Sequence, residues 1–124
     1  MKRLYALRGA CQCENTQDDM CRQISLMYDE LLETNNLAEC DIVSVIFSVT
    51  GDLDAVNPSS ALRKSGRAGE LSLFSALEPE CKNSLERTVR VIIHCYLDEV
   101  VNVNHVYRNG AEVLRPDRIK KPAR

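Results

Sequence analysis

The sequence predicts an α+β domain: a mixed sheet with one long helix. Apolar residues recur at helical spacing in a single long stretch, through Met20, Ile24, Met27, Tyr28 and Leu31. Several runs rich in β-branched residues surround that stretch, the fullest being Asp41–Thr50 and Thr88–Asp98. No repeat or linker interrupts the 124 residues, so residues 1–117 form one domain and residues 118–124 a charged, mobile tail. One helix cannot cover both faces of such a sheet. The remaining face needs another apolar surface, and a second copy of the chain is the simplest one.

Lys2 to Cys13 reads as the first strand, with Gly9 marking a bulge or a close backbone approach. Thr16 then caps a helix, and Asp19 supplies the reciprocal acceptor of a capping box. That helix runs to about Glu33 and gives out in Thr34-Asn35-Asn36, residues that favour turns. Asp41–Thr50 is a strand apolar enough to be covered on both faces, and Gly51 to Ala55 is a loop. Pro58 to Lys64 makes a short helical segment with proline in its first turn. Leu71 to Leu77 is a third strand or an extended segment, and Cys81 to Arg87 is a short, helical connection into the Thr88–Asp98 strand. His105 to Arg108, Asn109-Gly110 and Ala111 to Arg115 read as a hairpin, because Asn-Gly between β-like runs is a strong type I′ turn signal. Pro116 ends it.

Composition narrows the function. The net charge is −2 with no Lys/Arg block, which argues against nucleic acid as a partner. No run approaches the ~20 apolar residues of a membrane span, and the N-terminal apolar segment is too short for a signal peptide, so a cytoplasmic protein is expected. The cysteines (Cys11, Cys13, Cys21, Cys40, Cys81 and Cys95) are irregularly spaced among apolar neighbours, as reduced structural cysteines are. No second CxxC or His pair completes a site with Cys11 and Cys13, so neither metal nor cofactor is expected.

The arginines carry the chemistry. Arg90 sits inside TVRVIIHCYLD, an otherwise apolar strand, and a guanidinium there must be paired or face a polar cavity. Arg8 in LYALRGA and Arg115 in AEVLRPD repeat the arrangement. Three guanidiniums on rigid strands would make a site for a small dicarboxylate.

Taken together, several short motifs resemble one family in order and spacing. They are Leu7-Arg8-Gly9-Ala10, then Thr50-x-Asp52-Leu53-x-Ala55-x-x-Pro58-x-x-Ala61-x-Arg63, Glu78, Arg90, His105-Val106-Tyr107 and Val113-Leu114-Arg115-Pro116-Asp117. The chain is identified by them as similar to the monofunctional chorismate mutases of the AroH class, in register from about residue 3 to residue 117. The resemblance implies a homotrimer whose sheets pack into a pseudo-α/β barrel with sites between subunits. It implies an isomerase that rearranges chorismate to prephenate, toward phenylalanine and tyrosine, without cofactor or metal. Arg90 would face the ether oxygen, Arg8 and Tyr107 would hold the side-chain carboxylate, and Glu78 would accept from the ring hydroxyl across the interface. Arg63 and Arg115 would stand near the mouth, with Leu114 beside them.

Three positions depart from the family pattern. Ser75 stands where relatives often carry cysteine, Asn57 where an aromatic residue is common, and Ser60 where lysine is common. Ser75 keeps a group that both donates and accepts. Asn57 and Ser60 border the implied site and bear on its closure and charge. They are the features that favour an alternative, a non-catalytic trimeric module binding a small carboxylate.

Overall fold

The computed structural model describes residues 1–99 and 102–114. Its centre is an antiparallel pair. Strand β1 (Lys2–Gln12) runs beside β4 (Thr88–Asp98) without a break in register, from Lys2 opposite Asp98 to Gln12 opposite Thr88. Strand β2 (Ile42–Val49) lies antiparallel to β4 on its other side, and β3 (Leu73–Leu77) lies parallel to β2 at one edge. A short strand, β5 (Val106–Arg108), lies parallel to β1 at the other edge, giving a mixed sheet ordered β3-β2-β4-β1-β5.

Two helices, α1 (Gln17–Thr34) and α2 (Pro58–Lys64), cover one face. Alternation along the strands sends Leu7, Cys11, Val45, Phe47, Val89, Val91 and Ile93 into the core beneath them, with Met20, Ile24, Met27 and Leu31 of α1. Gly9 is a close approach and not a bulge. A methyl there would meet Leu31 Cδ1 at 3.1 Å, the Val106 carbonyl at 3.1 Å and Val91 Cγ1 at 3.2 Å.

The start of α1 differs in one detail from a capping box. Asp19 N–H donates to Thr16 Oγ1 (3.1 Å), but the Asp19 carboxylate accepts from Glu14 N–H (2.7 Å), not from Thr16. At the other end, Asn36 takes φ 51°, Asn36 N–H reaches the Glu33 carbonyl, and Leu37 N–H reaches the Leu32 carbonyl. That is a Schellman stop, with asparagine in the left-handed position.

Within one chain strand β2 is covered on one face: Phe47 is 1% exposed but its neighbour Ile46 is 38% exposed. The Leu71–Leu77 segment is a strand from Leu73 onward. Two expectations are corrected. Cys81 to Arg87 forms turns and bends, not a helix; Asn83 and Arg87 have positive φ, which helix propagation does not allow. The hairpin is absent. Asn109 and Gly110 do take positive φ (56° and 99°), but β5 pairs parallel with β1, and Ala111–Leu114 closes into a 3₁₀ turn with Ala111 buried. Arg115, Pro116 and the tail lie outside the described residues.

Candidate active site

Among the described residues, neither α1 nor α2 lies on the second face of the sheet. Register places one row of side chains across it: Tyr107 beside Ala10, Ala10 beside Arg90, Arg90 beside Ser48, and Ser48 beside Ala76. Arg8, Ile92 and Ile46 make the next row. Between them lies an open cavity of about 380 Å³ whose lining includes Arg8, Ser48, Arg90, Tyr107 and Leu114.

Each functional side chain is held by its element. Arg90 is pinned by the β1 and β2 ladders on both sides. Glu78 comes directly after β3, and its N–H continues the ladder to the Val49 carbonyl at 2.9 Å. Its Oε1 lies 3.5 Å from Arg90 Nε and accepts from Ser48 Oγ at 2.5 Å. The Arg90 side chain is 48% exposed and that of Glu78 24%, so the pair is half in solvent. Such pairs are worth about 1 kcal/mol or less, and an anionic ligand can compete for the guanidinium. Arg8 is fixed through its backbone, whose N–H donates to His105 Nδ1 at 2.9 Å, placing that ring's proton on Nε2. Among the described residues no carboxylate pairs with Arg8. Within them, the cavity lining carries two guanidiniums and no carboxylate; Glu78 reaches Arg90 from beside it, lining a neighbouring cavity with Thr50 and Asp52.

The remaining expected residues gather elsewhere. Ser75 is the partner of Phe47 in the β2–β3 register and so faces the helices, opposite to Arg90. Its Oγ donates to Asn57 Oδ1 (2.8 Å) and lies 2.6 Å from Ser59 Oγ. Asn57 is the N-cap of α2, accepting from Ser59 N–H at 2.9 Å, with Pro58 at the first helical position. Ser60 is exposed on that helix, and Arg63 is exposed with its Nη2 donating to the Leu71 carbonyl at 2.8 Å. One chain thus brings together Arg8, Arg90, Tyr107, Leu114 and Glu78, and separately Asn57, Ser60, Arg63 and Ser75. Strand β3 is the wall between them, with Ala76 lining a cavity on each side.

Sequence reasoning missed Ser48 and the capping role of Asn57. Ser48 shares the face of Arg90, but only the β2–β4 register reveals it. Asn57 as an N-cap was readable from Asn-Pro before a helical segment.

Fold and cavity together set two guanidiniums over an open cavity on one face of a mixed α+β sheet. The sequence matches the chorismate mutase type I family over residues 4–118, and the chain belongs to that family, in its monofunctional AroH class. It is 27% identical over 116 residues to chorismate mutase AroH of Bacillus subtilis, spanning 92% of this chain and 91% of that one. It is 33% identical over 114 residues to chorismate mutase AroH of Thermus thermophilus, spanning 90% and 93%. The fold matches a chorismate mutase from Clostridium thermocellum with a TM-score of 0.82 at 39% identity, covering 88% of this chain and 98% of that one.

Proposed function

We propose that the chain rearranges chorismate to prephenate in sites completed between neighbouring copies of a homotrimer. The observation that carries this reading is the pair of guanidiniums, Arg8 and Arg90, facing one cavity with Glu78 as their only described counter-charge. A dicarboxylate fits that excess of positive charge. Two features support the interface. The open face exposes Leu4 (57%), Ile46 (38%), Phe74 (64%) and Tyr96 (45%), apolar area that a second sheet surface would cover. The site residues are also split by β3, and a neighbouring copy docked at that edge would supply the Asn57, Arg63 and Ser75 group to the Arg90 cavity.

The reaction breaks one C–O bond and forms one C–C bond within a single molecule, so it needs no nucleophile from the protein. It needs a held near-attack conformer and stabilised charge on the departing ether oxygen. Arg90 donates to that oxygen. Arg8 and Tyr107 hold the side-chain carboxylate over the ring, and Glu78 accepts from the ring hydroxyl. Arg63 and Arg115 attract the second carboxylate, and Leu114 gives the ring an apolar wall. Asn57 caps a helix and Ser60 leaves the mouth less positive than lysine would; neither touches the Arg8–Arg90 cavity in one chain. Loss of chorismate absorbance on adding the purified chain, with prephenate formed, is the expected result. Chorismate binding without turnover would favour the non-catalytic carboxylate-binding module instead.

A further inference from the structure

Ser48 lines the cavity, sits directly across from Arg90 in the β2–β4 register, and lies with its Oγ 2.5 Å from Glu78 Oε1. A hydroxyl this close to a carboxylate is a charge-assisted donor, among the stronger hydrogen bonds of a protein. The same oxygen is the one nearest Arg90 Nε, at 3.5 Å, and among the described residues the second oxygen of Glu78 takes no partner. Glu78 therefore has two choices: to stay on Ser48, or to move fully onto the guanidinium. Arg–carboxylate pairs favour the two-point geometry. With the serine hydroxyl in place, one oxygen is already engaged and the contact to Arg90 stays long.

We propose that Ser48 is a positioning residue that holds Glu78 off Arg90, keeping the guanidinium available to the anionic substrate and the carboxylate available to its hydroxyl. This rests on the chorismate mutase reading above. Without the Ser48 hydroxyl, Glu78 collapses onto Arg90 and competes with the incoming carboxylate. The cost then falls mainly on KM.

The test is a cycle of purified variants assayed on chorismate. Ser48→Ala should lower kcat/KM roughly 10- to 100-fold, the range for a lost hydrogen bond to a charged group, mainly through a higher KM. Ser48→Thr, which keeps the hydroxyl and suits a strand, should recover most of it. In a Glu78→Gln background the Ser48→Ala effect should largely vanish, because no carboxylate is left to restrain. A Ser48→Ala enzyme within twofold of wild type would overturn the proposal. So would a loss of equal size in both backgrounds, since that would come from packing and not from Glu78. If wild type itself fails to turn chorismate over, the functional reading falls, an outcome distinct from either of these.

Discussion

Arg8 and Arg90 stand on the same face of adjacent strands, two residues apart in register: Arg8 opposes Ile92, and Arg90 opposes Ala10. Like charges on diagonal neighbours of one sheet face gain no stability from each other. The arrangement makes sense when an anion binds between them. Arg8→Gln should therefore leave the melting temperature unchanged or slightly raised, while the KM for chorismate climbs about tenfold or more. A melting temperature lowered by several degrees would instead mark Arg8 as half of a structural ion pair.

Assembly provides the second prediction. Phe74 and Tyr96 lie exposed on the sheet face opposite α1 and α2, and the two groups of site residues are separated by β3. Sedimentation equilibrium at micromolar concentration should give a mass three times that of the chain. A monomer would remove the interface site.

Much of the fold was legible in the sequence. The apolar, β-branched runs of β2 and β4, the strand-like stretch of β1 and the helical stripe of α1 are long enough to be read from local pattern alone. Arg90 stood out because a guanidinium inside an apolar strand needs a reason. The hairpin misled because Asn109-Gly110 specifies a tight turn but not the path of the chain beyond it. Arg108 pairs with Glu30 of α1 at 2.7 Å, and Asn109 Nδ2 donates to Gln23 Oε1 at 2.6 Å, so tertiary contacts direct the chain away from antiparallel pairing. Ser48 was invisible for another reason: which serines share the face of Arg90 depends on register between strands far apart in sequence.

The cysteines give a chemical prediction. Burial raises the thiol of Cys11 to about 12 and those of Cys13 and Cys95 to about 11, from an ordinary 9.0. Folding thus favours the protonated thiols. Their contribution to stability is present in full below pH 9 and is lost as pH rises through about 11 to 12. A disulfide-exchange reagent at neutral pH should label the exposed Cys40 and Cys81 in the native protein, and Cys11, Cys13 and Cys95 only after unfolding. Replacing Cys11 and Cys13 together by Ala and Val should leave turnover within a few fold. A large loss, with metal present in the native sample, would assign that pair a role in metal binding.

Positive charge at Arg90 is what the proposed chemistry depends on most, because it stabilises the ether oxygen as its bond to the ring breaks. Arg90 is held by ladders on both sides, faces the cavity and is only loosely engaged by Glu78, so it is pre-organised for that role. Replacing it with citrulline keeps the planar shape and most donors while removing the charge. Single-turnover and steady-state assays of that variant on chorismate separate the two effects. For an electrostatic role, kcat should fall by roughly 10²- to 10³-fold while KM rises far less. A citrulline enzyme with near-native kcat and a much higher KM would refute that role, leaving Arg90 as a residue that only binds the carboxylate.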